Sequence, residues 1–368
     1  MPTDRIAVGT QKGLFLYDKT ASGWRMNEPL LPEWEIRAIL LDPRDRDHIL
    51  VGTSHYAYGA TLRETLDGGR TWTQTSLKEK PGENDPPLKH VWQLKTNPHD
   101  GSIYCGVADA ALYKSVDGGK SWAEIESLQQ HPSRPHWNPG AGGLCLHTIC
   151  FHPSDPRQMW VGISAVGVFR TDDGGDSWQP MNAGLPPMGS TGSPDEDAAF
   201  CVHKIKLDPT VPGRLLMQFH AHTMTPDQTR SSGVFVCEPG ETEWKAIDDG
   251  LADRFGFPLG ISQKGEIFIV PLTGDHDRTF TDGQVAIWKA GKAGEPWKQT
   301  KIGDGKVYAA VLRDAMDVDK SKPAGVFFGT TMGDVFASAD AGESFEKLPG
   351  GLPRVHCVRA VDYANGTK

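Results

Sequence analysis

Short apolar runs separated by turn residues recur along the whole chain. Runs such as HILVGT, SIYCGV, QMWVGI and RLLMQF each follow a turn that contains proline, in the segments LDP, TNP, FHP and LDP. Brief apolar runs bounded by Pro, Gly, Asn and Asp are typical of β-strands, whereas helices show longer stretches with a helical period. The 42 glycines and 27 prolines among the 368 residues agree with many turns and few helices. The pattern predicts an all-β protein.

One motif repeats along the chain and sets the number of structural units. The segments Thr65–Trp72, Ser115–Trp122 and Thr171–Trp178 all read S/T-x-D-G-G-x-S/T-W, and Ser338–Phe345 keeps the order with Phe in place of Trp. Weaker copies end in further tryptophans, which gives aromatic anchors at residues 24, 72, 122, 178, 244, 297 and 345. These anchors are 48 to 66 residues apart, a period that suits a four-stranded propeller blade. Seven units therefore predict a seven-bladed β-propeller.

The repeated motif is that of the Asp-box, and through it the chain resembles the sialidase-like superfamily of BNR-repeat β-propellers. Within that superfamily the chain is similar to cytosolic bacterial BNR-repeat proteins, often labelled glycosyl hydrolase or exo-sialidase. The segments that carry this likeness are IAVGTQKGLFL, PGAGGLCLHT and GVFFGTTMGDVFAS. The resemblance spans essentially the whole chain, but it implies the fold rather than the activity, because propellers host many unrelated functions.

The motif itself has the chemistry of a turn. An Asp at this place accepts hydrogen bonds from nearby backbone amides, and the two glycines supply positive φ angles. We therefore expect Asp67, Asp117 and Asp173 to stabilise turns rather than to take part in catalysis.

The order of the strands predicts how the propeller is closed. Each unit contains an inner strand A that ends at the proline turn, followed by strands B, C and D, with the repeated motif between C and D. The chain starts within a unit, at a strand B over residues 6–10, and ends with an A-like strand over Val355–Val361. The last strand should complete the first blade and remove a free sheet edge. We predict a single domain over residues 1–368, closed by this C-terminal inner strand.

The predicted topology gives the protein two different faces. The A–B turns and the repeated-motif turns are short and fall on one face. The opposite face carries the long loops, over residues 77–89, 126–146, 181–200, 220–231 and 271–282. Ten of the thirteen histidines map to this second face. Binding and catalytic residues concentrate on such loops and on the strand ends beside them, so we expect the functional site there.

Three histidines open consecutive inner strands and suggest a metal site. They are His90, His147 and His203, in the segments KHVWQL, CLHTIC and CVHKIK. We expect them at equivalent positions around the mouth of the central channel, with His220 as the fourth ligand and His222 as a further candidate. Neutral imidazole suits Zn, Fe, Cu or Ni, and such a centre can activate bound water. The alternative is a set of hydrogen-bonded pocket histidines without a metal.

Other polar and aromatic residues should share this mouth, because they lie at the starts of inner strands or in the long-loop face. We predict catalytic roles for five of them: Glu35, Arg37, Tyr56, Trp92 and Arg313. Asp275 and Asp277 lie in a further loop and could form an acid–base pair or support a ligand. For each residue the plain alternative is a solvated loop position or a salt bridge.

Composition and charge exclude several classes of protein. Mean hydropathy is −0.43, and no apolar run approaches the roughly 18 residues of a membrane span. With 38 Lys and Arg against 47 Asp and Glu, the net charge of −9 provides no basic footprint for nucleic acid or a membrane surface. The N-terminus shows no secretion signal, and the six cysteines lack the spacing of a disulfide scaffold. We expect a cytoplasmic protein with reduced thiols.

Two classes of function remain after these exclusions. Sialidase activity is disfavoured, because the chain lacks the F/Y-R-I-P segment that carries the first arginine of the sialidase triad; the nearest segment, EIRA, has no proline. The first class is an enzyme with a histidine-rich, metal-dependent pocket that acts on a small polar molecule by hydrolysis, elimination or oxidation. The second is a non-catalytic propeller that uses one face to dock another protein. The clustering of His, Trp and Tyr favours the enzyme.

Overall fold

The computed structural model describes residues 3–77, 88–187, 199–221, 231–361 and 363. Within these ranges, 28 strands form seven antiparallel sheets of four strands each. Helical structure in the same ranges is limited to one short α-helix, α1 (Glu126–Gln129), and two 3₁₀ turns (Arg134–His136 and Thr281–Gly283). The protein is a seven-bladed β-propeller, as the repeat predicts.

The chain divides into two compact units. The first unit, Met1–Thr75 with Gly250–Lys368, holds blades 1, 2, 6 and 7, and the second unit, Ser76–Asp249, holds blades 3, 4 and 5. In the second unit, blade 3 contains β8 (Val91–Thr96), β9 (Ile103–Val107), β10 (Leu112–Ser115) and β11 (Ala123–Glu124). Blade 4 contains β12 (Leu146–Phe151), β13 (Met159–Ile163), β14 (Gly167–Thr171) and β15 (Gln179–Pro180). Blade 5 contains β16 (Cys201–Leu207), β17 (Leu215–His220), β18 (Ser232–Cys237) and β19 (Lys245–Ala246).

The first unit contains both ends of the chain. Blade 1 consists of β1 (Arg5–Thr10), β2 (Gly13–Thr20), β3 (Gly23–Met26) and β28 (Val355–Val361). Blade 2 consists of β4 (Glu35–Leu41), β5 (Ile49–His55), β6 (Gly59–Thr65) and β7 (Thr73–Thr75). Blade 6 consists of β20 (Phe255–Ile261), β21 (Ile267–Leu272), β22 (Gln284–Ala290) and β23 (Lys298–Lys306). Blade 7 consists of β24 (Met316–Val318), β25 (Val326–Gly329), β26 (Val335–Ser338) and β27 (Glu346–Lys347).

The last strand of the chain completes the first blade. Strand β28 pairs antiparallel with β1, from Arg5 opposite Val361 to Thr10 opposite Val355. The inner edge of β1 is therefore covered by residues more than 340 positions away in sequence. This pairing confirms the predicted C-terminal closure of the blade.

The repeated D-G-G segments form hydrogen-bonded turns. In blade 3, Asp117 accepts hydrogen bonds from the Ser121 hydroxyl at 2.6 Å, the Ser121 amide at 3.0 Å and the Ser115 hydroxyl at 2.8 Å. The bonds from Ser121, followed by that from Ser115, hold the pKa of this carboxyl well below its usual range. The corresponding carboxylates Asp67 and Asp173 accept the same bonds within their own turns. Their contacts are those of turn-stabilising residues.

Glycines in the second strands allow consecutive blades to pack closely. A Cβ atom at Gly106 would lie 2.5 Å from the carbonyl oxygen of Leu146 in the next blade, and one at Gly9 would lie 2.7 Å from that of Ile36. Blade 5 has Gln218 at the equivalent position, and this side chain is buried. Blade 5 therefore carries a side chain at the position where the packing of blades 1 and 3 requires glycine.

The six cysteines are buried, and none of them forms a disulfide. Burial raises the pKa of the Cys237 and Cys357 thiols to about 12. The reduced state of the thiols in the cell remains a prediction.

Candidate functional site

In five innermost strands a single residue stands between two paired positions as the extra residue of a β-bulge, and in β20 the register shift spans Phe257 and Pro258. The pairing register shifts around this residue in β4, β8, β12, β16 and β28. The extra residues are Arg37, Trp92, His147, His203 and His356. A bulge redirects a side chain away from the regular alternation of a strand and is common beside functional sites. Four of these five residues are predicted site residues, so the predicted site follows a repeated backbone feature.

The register corrects the predicted equivalence of three histidines. Because Trp92 is the extra residue of β8, it corresponds to His147 and His203. His90 lies two residues earlier and therefore corresponds to Cys145 and Cys201. Its ring lies 6.1 Å from that of Trp92, edge to face. Aligning the histidines by residue type hides this offset, since no residue type marks the bulge.

A group of three potential metal ligands lies at the start of blade 5. Cys201 and His220 face each other as a pair of the β16–β17 ladder, and the bulge brings His203 beside them. Their Sγ and ring nitrogen atoms all lie within 4.8 Å of one another. His220 Nδ1 and His203 Nε2 are 2.9 Å apart. All three residues are buried, with exposed fractions of 6%, 1% and 6%.

One thiolate and two imidazoles make a ligand set that suits zinc or copper. In a tetrahedral zinc site, Zn–N bonds of about 2.0–2.1 Å and a Zn–S bond of about 2.3 Å separate the ligand atoms by roughly 3.3–3.6 Å. The two imidazole nitrogens therefore need to separate by about 0.4 Å to admit such an ion, a small side-chain adjustment. In the absence of an ion, the same 2.9 Å distance is a hydrogen bond from one ring to the other. Three protein ligands leave a fourth position for water or substrate.

His147 contacts the backbone beside this group. Its Nε2 atom lies 2.9 Å from the carbonyl oxygen of Val202, and its Nδ1 atom lies 3.0 Å from the Thr148 hydroxyl. The Nε2–H therefore donates to Val202, which is the residue between Cys201 and His203. The structure brings His203 and His220 together but not His90 or His147 with them. Metal binding by those two histidines remains a prediction, and His222 lies outside the described residues.

A second polar group lies in the first unit, where blades 1 and 2 meet. Glu35 Oε1 is 3.3 Å from His356 Nε2, and the same carboxylate forms an ion pair with Arg37. His356 is buried, whereas the side chains of Glu35 and Arg37 are about a quarter exposed, at 23% each. The bridge between Asp314 and Cys357 places the backbone of Arg313 beside that of His356, and the Arg313 guanidinium lies 5.7 Å from the centre of the Phe257 ring. This arrangement places an acid, a base and a cation in contact, which suits proton transfer or the binding of a polar group.

The remaining predicted residues lie apart from these two groups. Tyr56 is 97% exposed, and its ring centre lies 4.5 Å from that of His55. Asp277 is exposed in its loop, and Asp275 accepts a hydrogen bond from Arg278 through its backbone carbonyl. Nothing in these contacts singles out a catalytic role.

Two residues of these groups, Cys201 and His356, are not predicted from the sequence. Cys201 is two positions from His203, so both side chains belong to one side of a regular strand, and this spacing is a readable signal. His356 is the extra residue of β28, and its position beside Glu35 depends on the closure of blade 1.

Comparison with known proteins supports the class of β-propellers. No known family model matches the chain. The chain is 24% identical over 296 residues to the photosystem II assembly lipoprotein Ycf48 of Synechococcus sp. (strain CC9902), which covers 79% of this chain and 70% of that protein. It is 25% identical over 148 residues to an oligoxyloglucan-reducing end-specific xyloglucanase of Emericella nidulans and 29% identical over 165 residues to a xyloglucanase of Paenibacillus sp.. Each of these two matches covers 39% of this chain.

The matches to the xyloglucanases cover too small a part of those proteins to assign their activity to this chain. The chain spans only 17% and 16% of the length of the two xyloglucanases. Among solved structures, a GH74 enzyme of Niastella koreensis has a TM-score of 0.61 at 16% identity, covering 92% of this chain and 51% of that one. Ycf48 bound to D1 peptide has a TM-score of 0.54 at 17% identity, covering 86% and 83%. These similarities establish the fold. Among the described residues, no helix has the length and apolar character needed to cross a membrane.

Proposed function

We propose that the protein is a metal-dependent enzyme that acts on a small polar molecule, with Cys201, His203 and His220 as the metal ligands. The observation that carries this proposal is the convergence of one sulfur and two imidazole nitrogens within 4.8 Å, inside a buried part of blade 5. A regular β-repeat does not require such a set of donors, because apolar side chains fill buried positions without the cost of desolvating polar atoms.

The departures of blade 5 from the repeat support this proposal. The position of His220 is held by Ser54 in blade 2 and Ser164 in blade 4, opposite Glu35 and Cys145 respectively. Blade 5 also replaces the packing glycine of the second strand with Gln218. In a repeat protein, positions that depart from the common pattern in one unit are candidates for function, since the common pattern already satisfies folding.

The chemistry follows from the ligand set. A divalent metal with an open position polarises a substrate oxygen or lowers the pKa of bound water. Burial of the three ligands keeps bulk water away and strengthens local electrostatic interactions. His147 fixes the backbone carbonyl of Val202, which holds the strand segment that carries Cys201 and His203 in place.

Metal analysis of the protein, purified without a histidine tag, tests the proposal. We expect about one equivalent of zinc or copper, or uptake of one equivalent of Co²⁺ with a thiolate-to-cobalt charge-transfer band. Cys201→Ser should remove that band, and His220→Ala should remove tight binding. His99→Gln is the matched control, because His99 contacts the His152 carbonyl at 2.7 Å in a turn of blade 3. Metal content unchanged by both site variants would refute the proposed centre.

Activity is tested separately on small esters, lactones, amides and phosphate esters. Turnover that is lost on chelation, restored by one metal equivalent and absent in Cys201→Ser supports the enzyme. A stoichiometric metal without turnover on any of these substrates would leave a structural metal site and contradict the enzymatic proposal.

A docking propeller is the second candidate, and one observation favours it. Of the relatives reported above, the assembly lipoprotein Ycf48 is the one that the match covers over most of its own length. The solved structure of YCF48 reported above contains a bound D1 peptide. Binding of an extended peptide to metal-free protein, unchanged in Cys201→Ser, supports docking. Failure of metal-free protein to bind any peptide from a random library would count against docking.

A cytoplasmic location and a single folding domain also remain predictions. Cell fractionation tests the first, and a single calorimetric unfolding transition would support the second.

A further inference from the structure

A small cavity lies between blades 4 and 5 of the second unit, beside the turns that join their first and second strands. Its volume is about 130 Å³. A cavity of about 150 Å³ holds one benzene molecule, so this one suits a ligand of about six non-hydrogen atoms. The turn after β16 lies about 20 Å along that strand from Cys201, which separates the cavity from the proposed metal ligands.

His152 lines this cavity from the turn after β12 and departs from the repeat. In three other blades the same turn position holds Asp or Asn, whose side-chain oxygen accepts the backbone N–H two residues later. These residues are Asp42, Asn97 and Asp208. In blade 4 the Nδ1 atom of His152 takes this role, because it accepts the N–H groups of Ser154 and Asp155 at 3.3 and 2.9 Å. The neutral ring therefore carries its proton on Nε2.

The Nε2–H of His152 faces the part of the cavity wall that blade 5 supplies. A Cβ atom built on Gly213, another residue of the wall, would lie 3.3 Å from this nitrogen. The imidazole thus keeps the turn contact that Asp and Asn make in the other blades and adds an N–H donor toward the cavity.

Trp160 supplies a second donor on the blade 4 wall. It is 2% exposed, and its indole N–H has no hydrogen-bond acceptor among the described residues. Its ladder partner is Arg170, so both side chains extend from the face of blade 4 that packs against blade 5. Leu50 and Leu216 hold the equivalent ladder positions in blades 2 and 5. A buried N–H without an acceptor is destabilising, and a ligand oxygen relieves that cost.

The blade 5 wall carries two carboxylates, Glu238 and Glu241, in the turn between β18 and β19. Each glutamate, and Arg170 on the blade 4 wall, has an ion-pair partner outside the lining of the cavity. These partners are Arg214, Lys245 and Asp172, in that order. In the described parts of the chain, no ion pair joins Arg170 to either glutamate across the cavity. The two walls therefore differ in polarity, with donors on one and carboxylates on the other.

From these two walls we infer that the cavity binds a small zwitterion, with its carboxylate at blade 4 and its ammonium group at blade 5. The N–H groups of His152 and Trp160 and the Arg170 guanidinium hold the carboxylate, and Glu238 and Glu241 hold the ammonium group. A pure anion meets two carboxylates in this cavity, and a pure cation meets a guanidinium, so a molecule with both charges fits best. A free amino acid of the size of alanine matches the volume.

Calorimetric titration with L-alanine tests the inference, on protein as purified and on protein stripped of metal by a chelator. We expect saturable binding with the same affinity in both samples, since the cavity is separate from the metal ligands. Acetate and ethylammonium each carry one of the two charges and should bind at least about 10-fold more weakly. Glycerol, a neutral molecule of the same size as alanine, should not bind.

Two variants remove one donor each. His152→Asn retains an acceptor for the turn, as Asn97 does in blade 3, but lacks the Nε2–H. Trp160→Phe retains an aromatic ring but lacks the indole N–H. Each should weaken alanine binding at least about 10-fold, as expected for loss of a hydrogen bond to a charged group. Asp42→Asn, at the same turn position of blade 2, is the matched control and should bind alanine like the wild type.

A third variant tests the opposite wall. Glu241→Gln lies at an exposed position, so it remains usable if Trp160→Phe does not fold. It should weaken alanine binding several-fold and leave acetate binding unchanged or stronger. Equal alanine affinity in the wild type, His152→Asn and Glu241→Gln would overturn the site, and acetate binding as tight as that of alanine would overturn the zwitterion. A protein that holds one metal equivalent but binds no alanine would overturn this inference and leave the proposed function intact.

Discussion

The Nε2 atom of His147 lies 2.9 Å from the carbonyl oxygen of Val202, so an imidazole of blade 4 holds the backbone between two candidate ligands of blade 5. The contact joins two bulges, because His147 is the extra residue of β12 and Val202 precedes the extra residue of β16. Its loss should loosen the ligand geometry without removing a ligand.

His147→Ala should weaken Co²⁺ affinity by about 10-fold or more, the usual effect of removing a group that orients metal ligands. A titration followed by the charge-transfer band measures it. His147→Gln should recover part of the affinity, because an amide N–H can still donate to Val202. His99→Gln is the control, because it removes a similar contact between an imidazole and a backbone carbonyl of the next blade. This contact does not involve the candidate ligands, so the Co²⁺ affinity should not change. Complete loss of metal in His147→Ala with an unchanged fold would instead indicate a direct ligand.

Trp244→Ala should destabilise the protein by about 3–5 kcal/mol, as for other large buried aromatic side chains. Trp244 is 2% exposed, and its indole N–H donates to the Met181 carbonyl at 2.8 Å. Trp122→Ala should cost clearly less, because Trp122 is only half-buried in its turn. Urea unfolding of both variants gives the comparison. Equal losses of stability in the two variants would show that the burial of a tryptophan does not determine how much it stabilises the protein.

Acid should weaken the ion-pair network around Asp18. Burial alone would raise the pKa of this carboxyl, but hydrogen bonds from Arg5 and Asn27 outweigh it and lower the pKa to about 2. An unfolded Asp titrates near 3.9, so the stabilisation is fully present above about pH 4 and is lost as the pH falls through about 2. Asp18→Asn should therefore be less stable than the wild type at pH 7, and the difference should shrink between pH 4 and 2. Unfolding at several pH values, with the exposed Asp304→Asn as control, measures it.

Deleting residues 355–368 should unfold or aggregate the protein, because β1 then exposes an unpaired edge. A circular permutant provides the control: a short linker joins residue 361 to Arg5, its partner in the ladder, and new termini open at the exposed Lys292, in the turn between β22 and β23. It should melt near the wild-type temperature. A truncated chain that melted cooperatively at the wild-type temperature would show that β28 is not needed for closure.

The fold can be predicted from the sequence because the residues that specify each turn lie close together in the chain. Each D-G-G turn satisfies its own hydrogen bonds within a few residues, so Asp117 and its copies mark the repeat wherever they lie. The site is less readable. His203 and His220 are predictable from their strand ends, but the offset of His90 depends on a bulge, which no residue type marks. Contacts such as that between His147 and Val202 join residues 55 positions apart and follow only from the packing of adjacent blades.

The pairing of β28 with β1 has a consequence for synthesis in the cell. Strand β1 leaves the ribosome more than 340 residues before its partner strand does. At about 5–20 residues per second, β1 waits roughly 20–70 s with its hydrogen-bonding edge unpaired. That edge can pair with other nascent chains during this interval. Production of the protein should therefore depend on chaperones that bind exposed strands, and slower translation should increase that dependence.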